Sequence, residues 1–192
     1  MQGVTVIAVD PLAWRRFGGD TKFQLNTDTL EIVAQGRINL GADGFVHRFY
    51  TEDDMMLQMV SPDAMGQESD DFTLFGPWSS AWPPDGGAQR RWGDRLRART
   101  WDGTAEGLPA YTRFWFGDAD ERQDPVSFWE TVYDDRSGLN FRKIYQSCML
   151  FSRDLAGEGR ELLLAIEMQP ERGDVTHELM LGIPLNIGEF EA

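Results

Sequence analysis

Taken at every second position, Val175, His177, Leu179, Leu181, Ile183, Leu185 and Ile187 fall on one side of an extended chain, and six of these seven are aliphatic. A helical period would scatter them around an axis, whereas a pleated strand stacks them on one face. The stretch from Leu30 to Leu40 repeats the pattern. Leu30, Ile32, Ala34, Gly36, Ile38 and Leu40 share one face, and Glu31, Gln35, Arg37 and Asn39 share the other. Two long period-two segments near opposite ends of a chain commit it to a mainly β architecture. Pro184 removes one donor from the later segment, so that strand is expected at a sheet edge or broken there.

Further strands are expected at 4–9, 45–50, 55–60, 71–75, 95–101, 111–116, 142–153 and 161–168. The pair 45–50 and 55–60 is joined by Thr51-Glu52-Asp53-Asp54, which reads as a hairpin with a four-residue acidic loop. Asp10-Pro11 before LAWRRF and Asp124-Pro125 before VSFWETVY each offer an acidic cap with proline at the first helical position. Two short helices are therefore expected, the second placing Val126, Trp129 and Val132 on one face. The fold class is mainly β (a β-rich α+β fold): packed antiparallel sheets with two short helices. The 192 residues, 41% hydrophobic, suit a single domain over 1–192 with a sizeable core. The segment at about 76–107 reads as an irregular excursion. It holds Trp78, Trp82, Trp92 and Trp101 with five arginines, at 90, 91, 95, 97 and 99.

Charge narrows the partners. Lys+Arg is 18 against Asp+Glu 32, a net charge of -14, so nucleic acid and anionic lipid are repelled at long range. One cysteine and two histidines are too few for a tetrahedral nitrogen/sulfur site, so no metal and no cofactor is expected. The N-terminal stretch lacks a basic and then apolar leader, and no apolar run approaches the ~20 residues of a membrane span. The expectation is a cytoplasmic protein without direct membrane insertion.

Glycine-rich phosphate loops, nucleophile elbows and metal-binding HExxH patterns are absent from the sequence. His47 and His177 read as half-buried imidazoles bonded to a carbonyl or carboxylate, and Cys148 as a buried structural thiol. Residues 43–71 carry eight acids against the single Arg48, a pattern of solvated surface in which a weak carboxylate site remains open. Arg95, Arg97 and Arg99 alternate, which on a strand would make one positive stripe, and Trp92 and Trp101 flank it. Tryptophan and arginine are enriched where partners dock, so these five residues are the expected binding surface for a protein partner.

The short blocks GRINLG (36–41), HRFYTEDD (47–54), LQMV (57–60), ETVYDD (130–135), CMLFSRD (148–154) and ELLLAIE (161–167) resemble, in order, the bacterial YjfK family, whose function is unknown. Its genes often lie beside those for phage-shock-like coiled-coil proteins, small membrane proteins and an ATP-grasp ligase. The resemblance thus implies a cytoplasmic accessory role linked to envelope stress. The blocks carry Arg48, Tyr50, Asp53, Asp54, Arg153 and Glu167. Arg48 and Arg153 lie in apolar strands where an unpaired guanidinium is costly, so a structural ion-pair network is expected, with Glu167 and the acidic turn as counter-ions. The leading function is a non-enzymatic accessory or interaction protein. The alternative, a carboxylate-based enzyme or a cation- or polyamine-binding protein, requires Asp53, Asp54, Glu130 and Glu167 to converge beside a histidine.

Overall fold

The computed structural model describes residues 6–69, 71–117, 121–135 and 137–191; positions 4 and 5 of the expected first strand lie outside them. Along the chain run β1 (Val6–Val9), α1 (Leu12–Arg15), β2 (Thr29–Asn39), β3 (Phe45–Thr51), β4 (Met56–Ser61) and β5 (Asp71–Ala81). Then come α2 (Gly86–Arg97), β6 (Thr100–Trp101), β7 (Tyr111–Arg113), β8 (Val126–Tyr133), β9 (Phe141–Asp154), β10 (Arg160–Pro170), β11 (Thr176–Leu185) and β12 (Phe190–Glu191).

Eight of these strands close on themselves. The order β2-β3-β4-β5-β11-β10-β9 is antiparallel throughout, and β8 pairs with both β9 and β2 to complete an eight-stranded barrel. The packed antiparallel sheets read from the sequence are thus one sheet rolled shut. Closure removes the exposed edges that an open sheet of this size would have to protect. β11 is not an edge strand. Its proline instead lies past the end of one ladder: pairing with β10 stops at Gly182, while Pro184 still pairs with Thr73 on β5.

Two apolar layers share the barrel wall. Inside lie Met56, Phe75, Cys148, Leu150, Leu162, Leu164, Ile166 and Met180. The alternate residues of the same strands, among them Met149, Phe151, Leu163, Ala165, Leu179 and Leu181, pack outward against Ile7, Ala13, Phe23, Trp92, Leu96 and Trp101. Strands buried on both faces have little use for polar residues, hence the unbroken runs Cys148–Phe151 and Leu162–Ile166.

Two expected elements change type. VSFWETVY is strand β8, not a helix: its β-branched and aromatic residues favour a pleated surface, and Glu130 and Val132 are buried while Trp129 is exposed. Conversely, 86–97 is helix α2 rather than irregular chain leading into a strand at 95–101. The Asp85 side chain caps it by accepting the Ala88 N–H at 2.7 Å, and Trp92 and Leu96, four apart, supply the buried face. The first helix forms as expected, short, with Asp10 Oδ1 accepting the Leu12 N–H at 2.9 Å.

Trp101 is fully buried between Trp92, Phe151 and the guanidinium of Arg95, and its indole nitrogen meets no acceptor among the described residues. Trp101→Ala should lower unfolding free energy by about 3–5 kcal/mol in urea titrations. Trp101→Phe should lose clearly less, because no hydrogen bond is given up. Equal losses would contradict this packing account.

Candidate functional site

β3 sends Arg48 and Tyr50 into the barrel, and both meet Glu130 from β8. Arg48 Nη1 donates to Glu130 Oε2 at 3.1 Å and to Gln146 Oε1 at 2.8 Å, while Nε donates to Gln58 Oε1 at 3.0 Å. Tyr50 donates to the other Glu130 oxygen at 2.7 Å, and Gln146 Nε2 to Oε2 at 2.5 Å. Arg48 is 2% and Glu130 0% exposed, so this is a buried ion pair with its lone pairs and donors answered by neighbours. Burial, reinforced by Glu130, pushes the Tyr50 hydroxyl well above its ordinary pKa and keeps it a donor. Gly36 on β2 makes room: a Cβ there would lie 1.8 Å from Glu130 Oε1.

A second buried carboxylate, Glu161, fastens the outer layer. It accepts from Thr21 Oγ1 (2.6 Å), the Lys22 and Phe23 N–H groups (2.5 and 3.0 Å), the Tyr111 hydroxyl (2.6 Å) and Arg153 Nε (2.7 Å). Burial alone would raise its pKa, but these bonds together outweigh it and hold the carboxyl below its ordinary range. Both expected arginines are therefore buried or nearly so and paired. Their counter-ions differ from expectation: Glu130 and Glu161 replace Glu167 and the acidic turn. The reading of 126–133 as a helix hid Glu130, whose inward place follows from the period of a strand.

The remaining acids do not gather. Asp53 is exposed in the β3–β4 turn, Asp54 stands at one mouth of the barrel, and Glu130 lies inside it. Glu167 faces outward and bonds His177 at 3.1 Å, whose ring stacks on Trp92 at 4.4 Å and 8°. Burial lowers the His177 pKa against the pull of Glu167, which favours the neutral imidazole. His47 bonds the Asp63 carbonyl at 3.5 Å, and burial pushes the Cys148 thiol up to about 12. No group of three or more metal-ligating side chains occurs among the described residues. That mouth opens into a cavity of about 810 Å³ above Arg48 and Tyr50, bordered by all eight barrel strands or their ends.

The tryptophan–arginine segment divides. Trp92 and Trp101 belong to the outer core. Arg95 bonds both Glu106 oxygens, at 2.7 and 3.0 Å, and lies 3.7 Å above the Trp101 ring. Arg97 pairs with Asp124 at 2.7 Å. The stripe expected on a strand is a helix end, and what the segment leaves at the surface is Trp82, Arg90, Arg91 and Arg99.

Arg48→Ala should lower stability by about 3–5 kcal/mol, because it strands Glu130 in the barrel. The double variant Arg48→Met/Glu130→Leu should recover most of that loss; a double variant worse than the single would contradict the ion-pair account. Glu161 has the opposite handle, pH. A carboxyl with a lowered folded pKa stabilises fully above its unfolded value near 4.5 and loses that contribution as pH falls through the lower folded value. Glu161→Gln should therefore weaken the protein at pH 7 and flatten its stability profile below pH 4.5, as measured by denaturant titration at each pH.

No curated protein and no solved structure matches the chain. A family model does, over residues 3–191, essentially the whole sequence. The chain belongs to the DUF2491 family, proteins of unknown function.

Proposed function

We propose that the protein is a non-enzymatic interaction module, and that its docking face is the outer wall of β8 and β9. The observation that carries this reading is a ladder of aromatic side chains on a barrel wall that the covering elements leave bare. Trp129 and Tyr145 are cross-strand partners with ring centroids 5.3 Å apart, and Tyr133 and Phe141 repeat the pair at 6.1 Å. Trp129 and Phe141 are each more than half exposed. Such exposure is unfavourable to an isolated fold and is what a partner would bury.

Charge selects the partner. Arg37 packs on the Tyr133 ring and donates to its hydroxyl, and Lys143 lies between the two aromatic pairs, opposite Thr131. Neither forms an ion pair among the described residues. On a chain of net charge -14 these two cations stand on an aromatic face that Glu171 also borders beside Trp129 and Tyr145, and they favour an apolar protein surface edged with acids. A second copy docking through the same face by two-fold symmetry would set Arg37 and Lys143 against like charges, and nucleic acid is repelled by the whole molecule. The accessory role in the bacterial cytoplasm implied by the YjfK resemblance is compatible with such a module and supplies the cells in which to test it.

The tagged protein should retain one defined partner from its own cells. Trp129→Ser/Tyr145→Ser should abolish that retention with little change in melting temperature, and the purified partner should quench or shift tryptophan emission in the parent but not in the variant. A Trp82→Ser/Arg90→Ser/Arg91→Ser variant should still bind. Loss in that variant alone would move the interface to 76–107, and retention by both variants would refute the aromatic-wall reading.

A further inference from the structure

Antiparallel barrels of eight strands have interiors just wide enough for their own side chains to fill, or to hold one small ligand. Here one half of the interior is filled and one end is not. Around the filled half stand Phe75, Leu150, Leu162 and Leu164 with the Arg48–Glu130 network. Toward the mouth near Asp54 the lining includes small side chains, Ala34, Ser79 and Ser80, and a cavity of about 810 Å³ opens above Tyr50.

The lining has two chemically distinct parts. Met56, Ile166, Met168 and Met180 make an apolar wall of flexible thioethers and one aliphatic chain. Of the three carboxylates in the lining, Asp134 pairs with Arg142, and Asp54 and Glu178 stand at the rim. Glu178 projects from β11 and is half-buried, and among the described residues its oxygen reaches only the hydroxyls of Ser80 and Thr176, at 3.5 and 3.4 Å. Neither acid has a cationic partner among the described residues. The nearby arginines are committed elsewhere, Arg48 to Glu130 and Arg142 to Asp134. Burial raises the Glu178 pKa against the pull of the Thr176 and Ser80 hydroxyls, and Asp54 adds the smallest push.

We propose that this open end of the barrel is a binding site for a small organic ammonium ion with an apolar body. The ammonium lies between Asp54 and Glu178, and the hydrocarbon part rests against Met56, Ile166, Met168 and Met180. A bare divalent cation suits the cavity poorly, since it asks for six or more oxygen ligands and the deeper wall is hydrocarbon and sulfur. A carboxylate or phosphate ligand would meet two negative groups at the entrance. An ammonium with a short chain answers both parts, replacing water at the apolar wall and gaining charge-assisted hydrogen bonds at the rim. The site is independent of the aromatic wall, on the far side of the strands from it.

The experiment is titration of the full chain with n-hexylammonium chloride, followed by backbone amide shifts and by calorimetry, with n-hexanol, sodium hexanoate and calcium chloride as parallel probes. Saturable hexylammonium binding is expected, with shifts at Tyr50, Asp54, Glu178 and Met180. Hexanol should bind more weakly and hexanoate not detectably. Glu178→Gln should weaken hexylammonium at least about tenfold, the loss expected when a charged hydrogen-bond partner becomes neutral. Should Glu178→Gln fail to fold, Asp54→Asn, a change in an exposed turn, carries the same expectation. Ala34→Phe, which fills the mouth, should remove binding of hexylammonium and hexanol together. The proposal is overturned if the parent protein shows no saturable shift, if hexanoate matches hexylammonium, if calcium alone gives the same shifts, or if both carboxylate variants bind like the parent.

Discussion

The barrel closes through its shortest seam. β8 meets β9 along eight residue pairs, from Val126 opposite Cys148 to Tyr133 opposite Phe141, but meets β2 along only four, from Gln35 to Ile38. Glu130 sits at one end of that short ladder, opposite Ile38, and its carboxylate reaches across the interior to Arg48 and Tyr50 on β3 and Gln146 on β9. The ion pair and its hydrogen bonds therefore tie the closing strand to both neighbouring sides. They also fix its register. A slip of one residue would turn Trp129 inward and Glu130 out, leaving Arg48 buried without a counter-charge, a far larger penalty than misplacing one apolar side chain. Gly36 belongs to the same device, because a side chain on β2 at that level would occupy the space of the carboxylate.

Glu161 performs the equivalent task on the outside. The segment around Asp20–Phe23 has no regular structure, so its backbone donors need partners if it is to lie against the barrel. Glu161 answers two of those N–H groups, and Tyr111 and Arg153 bring β7 and β9 to the same carboxylate. A single side chain at the start of β10 thereby holds a loop, a short outer strand and the barrel wall in one arrangement. This fixed outer layer lets Trp92, Leu96 and Trp101 pack as core although they come from a glycine- and arginine-rich stretch.

The β class, most strand positions and the pairing of Arg48 and Arg153 were legible because they follow from local period and from the expense of burying bare charge. Cys148, His47 and His177 were legible for the same reason. Closure was not. Whether strands form two packed sheets or one barrel depends on a long-range seam between β2 and β8, to which no local pattern points. VSFWETVY carried a helix-like cap at Asp124-Pro125 that competed with its β-branched composition, and tertiary pairing decided for the strand. The alternating Arg95, Arg97 and Arg99 imitated strand period by chance. The better signal lay four residues apart, in Trp92 and Leu96, behind the Asp85 cap. The counter-ions of the two arginines lay 82 and 8 residues away in sequence, and only the fold could select them from an excess of acids.

Buried and surface charges differ in how completely they are paired. Inside the barrel and beneath its outer layer the charged groups Arg48, Glu130, Arg153 and Glu161 answer one another, so their chemistry is spent on holding shape. At the surface, two places of opposite character among the described residues combine unmatched charge with apolar side chains. Asp54 and Glu178 stand over an unfilled apolar mouth, and Arg37 and Lys143 stand among uncovered aromatics. Mismatched charge beside unburied apolar surface gains free energy from a ligand on both counts, by neutralisation and by dehydration. In the two proposed roles an internally satisfied barrel would present these surfaces without reorganising, which is the preorganisation that binding at the mouth and the wall calls on.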